Sequence, residues 1–96
     1  MHSTRHNCLI YQKTQIRRST GDSHYTYLRG VYSSQKKATS ALEEFREKEY
    51  KQLAQFYNTV PTMDNQKSRV VLTVPGQSTT LVLIKVPQDV TTAIEI

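Results

Sequence analysis

Ninety-six residues with 13 Lys and Arg against 8 Asp and Glu describe a small basic chain of formal charge +5. That length suits one domain able to bury roughly two-thirds of its unfolded surface. The lone Cys8 excludes an internal disulfide, and no apolar run of about 18 residues is present to cross a membrane as a helix.

His2, Arg5, His6 and Asn7 interrupt the N-terminus, which reads against a signal peptide. With the unpaired cysteine this gives the expectation of a cytosolic protein. The positive charge is uneven. Arg5, Lys13, Arg17, Arg18, Arg29, Lys36 and Lys37 face only Asp22 in residues 1–40, whereas the remainder of the chain is nearly balanced. Such an asymmetry suits an acidic partner, either nucleic acid or an acidic protein face, and equally a plainly solvated basic surface.

In chain order, residues 1–7 read as a loose arm. Nothing places His2 and His6 on one face, so no metal site is expected there. Residues 8–16, CLIYQKTQI, have the β-branched and aromatic content of a strand. RRSTGDS is a turn by composition, with Gly21 and Asp22 able to adopt its backbone angles. HYTYLRGVY follows as a second strand, so residues 8–32 form a hairpin with a basic tip.

Strict alternation divides that second strand into two faces, Thr26, Leu28, Gly30 and Tyr32 on one and Tyr25, Tyr27, Arg29 and Val31 on the other. Tyr32 precedes the helix start and can staple onto its first turn. Its face is therefore expected beneath the helix, with Gly30 leaving room for close approach, and Tyr25, Tyr27 and Arg29 are expected to point away. The trio fits three uses: stacking and phosphate contact with single-stranded nucleic acid, anchoring a protein interface, or plain cross-strand pairing with Tyr11 and Lys13.

Residues 33–57 carry the one helical pattern. Ser33 is a suitable N-cap. Ala38, Ala41, Leu42, Phe45, Leu53 and Phe56 form an apolar stripe. Glu44 with Lys48 and Glu47 with Lys51 are favourably ordered pairs four residues apart. Asn58 can end the helix and Pro61 prevents it from resuming. Glu49 projects near the middle of the stripe and is expected at an exposed rim. Lys36 and Lys37 occupy the first turn, where the helix dipole disfavours cations.

NTVPTMDNQKS reads as a polar connection without structure of its own. RVVLTV and TTLVLIKV then form a second hairpin through PGQS. Both parities are apolar there, yet one helix covers only one sheet face. The second face calls for the N-terminal arm, the tail DVTTAIEI or another molecule, and residues 90–96 can add a last edge strand.

Catalytic chemistry finds no foothold. Asp22, Ser23 and His24 are adjacent and diverge on an extended chain, so they are no triad. Gly21, Gly30 and Gly76 are isolated, which leaves no phosphate-cradling loop. The helical carboxylates stand beside bases as solvated charges do. A non-enzymatic protein without cofactor or metal is expected.

At GVYSSQKKATSALEEF, the residues Gly30, Val31, Tyr32, Ser33, Lys37, Ala38 and Ala41 form a pattern similar to the strand-to-helix junction of small α/β proteins of phages and mobile elements. The likeness covers about a sixth of the chain and departs at Lys36, where an acidic residue is more usual. The resemblance implies a small accessory protein, in several cases an inhibitor of a host defence system such as an anti-CRISPR, and carries over no active site.

These readings combine into a single α+β domain, ββαββ in order, with an antiparallel sheet of four to five strands and one long helix on one face. The expected function is binding of a host or defence-system protein with an acidic face, through Arg17, Arg18, Tyr25, Tyr27, Arg29, Lys36 and Lys37. A nucleic-acid binder using the basic hairpin and a structural homodimer are the rival expectations. No membrane partner is expected.

Overall fold

A computed structural model describes residues 6–87. The element order is β1 (His6–Ile16), β2 (Ser23–Tyr32), α1 (Gln35–Tyr57), β3 (Thr62–Asn65), β4 (Arg69–Val74) and β5 (Gln77–Pro87). The strands form one antiparallel sheet in the order β2-β1-β5-β4-β3. The α+β class with a single helix stands, but the order is ββαβββ rather than ββαββ. The additional strand lies in the connection expected to be unstructured. Thr62, Met63, Asp64 and Asn65 are all exposed and owe their strand state to pairing with β4, helped by a turn in which Gln66 N–H donates to the Arg69 carbonyl at 2.8 Å. Their own β-propensity is weak, so the local sequence carries no signal for them.

β1 begins at His6, so the last two residues of the expected arm already belong to the sheet. β1 and β5 pair over their whole length, from His6 opposite Pro87 to Ile16 opposite Gln77. The first and last described strands thus form the middle of the sheet. The tail expected to add an edge strand lies outside the described residues.

Ser34, not Ser33, caps the helix. Its backbone is extended (φ −134°, ψ 148°) and its Oγ accepts from the Lys37 amide at 3.2 Å. At the other end Asn58 takes the left-handed conformation (φ 50°, ψ 49°), and its amide donates to the Ala54 carbonyl, which closes the helix as the sequence leads one to expect. Ala38, Leu42 and Leu53 are buried against Ile10, Leu72 and Leu81 of the sheet. Each fully buried aliphatic side chain contributes about 1.5–3 kcal/mol relative to leaving it in water. The helical stripe is shorter than its sequence suggests. Phe56 is 82% exposed, and Glu49, expected at an exposed rim, is buried.

The two sheet faces differ. Under the helix, β1 presents Cys8, Ile10, Gln12 and Thr14 in succession, so the apolar core gives way to buried polar groups toward the hairpin tip. On the second face, Leu9, Tyr11, Leu28, Val31, Val82 and Ile84 adjoin one another across β2, β1 and β5. Leu9 is buried there, Tyr11, Val82 and Ile84 are half-buried, and Leu28 and Val31 are exposed. Farther toward the tip this face turns polar, with Gln15, Ser78, Thr73 and Thr62 in one row. Among the described residues no helix is long and apolar enough to cross a membrane.

Candidate functional site

The site is shaped by one extra residue in β2. Ile10 pairs with Gly30 but Tyr11 pairs with Leu28, so Arg29 is bulged out of the ladder. A bulge puts two residues opposite one and reverses the alternation beyond it. Gly30 and Tyr32 face the helix as expected. Past the bulge, Tyr27 stands opposite Gln12 and Tyr25 opposite Thr14, and both β1 partners lie on the helix face. Tyr25 and Tyr27 therefore lie on the helix side, and the expectation that they point away from it is overturned, as it is for Arg29. Thr26 and Leu28 take the opposite face, beside Lys13 and Tyr11. The tyrosines accordingly do not pair with Tyr11 and Lys13. Lys13 instead sits 5.6 Å from the Tyr11 ring centre on the second face.

Arg29 reaches in beneath α1. Its Nη1 donates to Gln12 Oε1 at 3.0 Å and lies 3.3 Å from Glu49 Oε1. The guanidinium carbon is 4.6 Å from the Phe45 ring centre and 5.9 Å from that of Tyr27. Gln12 passes the network on, its Nε2 donating to Thr14 Oγ1 at 3.2 Å. This explains why a glutamate survives in the apolar stripe: its charge is met by a cation from the sheet rather than by water. Nearer the helix C-terminus, Tyr57 Oη donates to Gln77 Oε1 at 2.6 Å, tying the last helical turn to the start of β5.

Phe45, Glu49, Gln52 and Phe56 recur every three or four residues and so share one flank of the helix. Contacts of the first two with Arg29 turn that flank toward β2. α1 runs antiparallel to β2, so Gln52 and Phe56 advance toward the hairpin tip as Tyr27 and Tyr25 do. An open groove of about 550 Å³ lies along this end of the helix, lined by Glu49, Gln52, Leu53, Phe56, Tyr57 and Gln77 among others. Tyr25 and Tyr27 stand on the same side, 48% and 43% exposed.

The four remaining candidates are not brought together. Arg17 donates its backbone N–H to the Gly76 carbonyl at 2.8 Å, which sets the hairpin tip, with Arg18, at the end of the sheet holding the β4–β5 turn. Lys36 and Lys37 begin the helix just past Tyr32, at the opposite end. Ten residues of β2 separate the two pairs, roughly 30 Å at the usual rise per residue. The hairpin and the strand-to-helix junction are neighbours in sequence, but an extended strand keeps its ends apart. Near Lys36 and Lys37 a smaller cleft of about 250 Å³ is lined by Lys67 and Lys85. Among the described residues the ion pairs are Arg29–Glu49 and Arg46–Glu47, so Arg17, Arg18, Lys36 and Lys37 lack acidic partners there.

Sequence reasoning placed the tyrosines on the right strand and the wrong face. It missed Gln12, Glu49 and Phe56 as parts of the site. Glu49 did carry a signal, since a carboxylate within an apolar stripe and an arginine on the preceding strand are natural partners. Compared with known proteins, the chain matches no family model, no curated protein and no solved structure.

Proposed function

We propose that the chain is a non-enzymatic binding protein whose partner is another protein, met along the β2 flank. Tyr25 and Tyr27 serve as anchors, and Arg17, Arg18, Lys36 and Lys37 supply charge at either end. The observation that supports this reading is the contrast between the exposed tyrosines and their neighbouring arginine, whose charge is met by Glu49 and whose plane is engaged by Phe45. Exposed Tyr on the side of the sheet where Phe56 and an open groove of mixed lining also lie suits a protein interface. Single-stranded nucleic acid calls for stacking platforms with free cations alongside, and Arg29 is already engaged. In line with the resemblance at the strand-to-helix junction, we take the partner to be a host defence component with an acidic face. The protein then acts in the cytosol as an inhibitor of phage or mobile-element origin.

A nucleic-acid reading draws on one observation, that Arg17 and Arg18, at the end of the sheet that carries Tyr25, have no acidic partner among the described residues. Capture from a host lysate, with and without nuclease, separates the two. Protein capture that survives nuclease and is lost on joint Tyr25→Ser and Tyr27→Ser substitution supports the first reading. Capture that nuclease abolishes supports the second, provided that binding to random single-stranded RNA weakens with salt at a log–log slope of about −0.7 per phosphate contact.

A further inference from the structure

Exposed large apolar side chains are concentrated on one strand. Of the seven among the described residues, Tyr25, Tyr27, Leu28 and Val31 belong to β2. The two tyrosines lie on the helix side of the sheet and the two aliphatics on the other side. A partner resting on either face would cover one pair and leave the other wet. A strand hydrogen-bonded to the free edge of β2 carries side chains above and below the sheet and covers both pairs together. β2 is outermost in the sheet and pairs only with β1, so that edge is open among the described residues.

We propose that the partner adds an extended segment to β2 as a sixth strand, apolar along its middle and acidic toward both ends. This rests on the protein-binding reading above and specifies its geometry and partner chemistry.

Charge decides the occupant. Arg29, the strand's own cation, is turned in toward Glu49. Of the cations without an acidic partner among the described residues, Arg17 and Arg18 stand beyond the hairpin tip and Lys36 and Lys37 past Tyr32, while Lys13, on the neighbouring strand, lies beside Thr26 and against the Tyr11 ring. A second copy pairing antiparallel about a two-fold axis would set Arg17 and Arg18 of one chain against Lys36 and Lys37 of the other, and like charges oppose that contact. A segment acidic at both ends meets cations at both, whichever way it runs. The bulge at Arg29 confines the regular register to residues 23–28 and, like other edge bulges, discourages indiscriminate strand pairing. The opposite edge, β3, offers only four residues.

Panning a displayed library of random peptides about a dozen residues long, enough to span β2, tests the proposal. The expected winners alternate apolar residues and carry Asp or Glu near both ends. Synthesised, such a peptide should slow amide exchange at alternate positions of residues 23–28, the outward-facing ones. Thr26→Pro and Tyr27→Pro form a matched pair, because adjacent amides point to opposite sides of the strand. The variant that keeps the wild-type melting curve has lost an outward donor, and should bind the peptide about tenfold more weakly than its side-chain control, Thr26→Ala or Tyr27→Ser, which keeps the amide. Reversal of charge at Arg17 and Arg18, and separately at Lys36 and Lys37, should each weaken binding. Failure to enrich any peptide over an unrelated bait, or protection confined to α1 or the second face, overturns the proposal. So does full binding by the folded proline variant. Should that variant keep a lysate partner that the tyrosine double variant loses, strand addition fails while the protein-binding reading stands.

Discussion

Arg29 and Glu49 face each other across the helix–sheet interface, Nη1 to Oε1 at 3.3 Å, both largely withdrawn from water. The bulge in β2 makes this meeting possible, because regular alternation would have sent Arg29 to the other face. Removing Glu49 leaves the Arg29 charge with Gln12 and the Phe45 ring but no counter-ion, so Glu49→Leu should cost about 3 kcal/mol, the low end for a broken buried pair. The double change Arg29→Met with Glu49→Leu should recover to within about 1 kcal/mol of wild type, since matched apolar groups replace buried pairs well. Urea unfolding of both singles and the double measures this. A double variant no more stable than Glu49→Leu alone would count against the pair.

Gly30 was expected to admit the helix, but the neighbour above it is Tyr32. A Cβ placed at Gly30 would lie 2.6 Å from Tyr32 Oη and 2.8 Å from two ring carbons. Gly30→Ala should therefore displace the ring and cost about 1 kcal/mol, the scale of mild overpacking. In a Tyr32→Leu background the same change should be close to neutral, as the obstructing ring is gone. Thermal melts of the four proteins, with near-ultraviolet circular dichroism to follow the tyrosine, give the coupling. Equal penalties in both backgrounds would refute this account of the contact.

Lys36 and Lys37 lie in the first helical turn, which holds no acidic residue. Replacing both by Glu should raise stability by about 0.3–1 kcal/mol per site, because the helix dipole favours anions there. Arg17→Glu with Arg18→Glu, on a turn remote from any helix end, should stay within about 0.5 kcal/mol of wild type. Because the two pairs bracket β2 rather than share a patch, their effects on partner affinity should add. Strong non-additivity in a titration calorimeter would bring them back into one site.

Phe56 and Leu53 lie on the same helix three residues apart and should behave oppositely. Leu53→Ala removes a buried core side chain and should cost about 2–4 kcal/mol. Phe56→Ser, at a position 82% exposed, should leave stability within about 0.5 kcal/mol while weakening partner capture. Chemical denaturation of the two variants beside a binding assay separates packing from recognition. A large stability loss for Phe56→Ser would show that its ring supports the fold.

Much of the architecture follows from local pattern. The helical period of Ala38, Leu42 and Leu53, the left-handed stop at Asn58 and the two strand pairs around polar turns can each be read within a window of a few residues, because propensity and periodicity act at that range. β3 could not be read this way, since Thr62, Met63, Asp64 and Asn65 become a strand only when β4 supplies their hydrogen bonds. The pairing of β1 with β5 also belongs to tertiary structure, as its register joins residues more than sixty positions apart. The site shows the same division. Strand alternation marked Tyr25, Tyr27 and Arg29 as the residues of interest, and the charge count marked the four flanking cations. Which way the trio faces was decided by a single bulged residue, because side-chain direction in a strand has a period of two and one insertion inverts everything beyond it. That bulge is held by contacts no local window contains: Gln12 from the neighbouring strand, and Glu49 and Phe45 from the helix above.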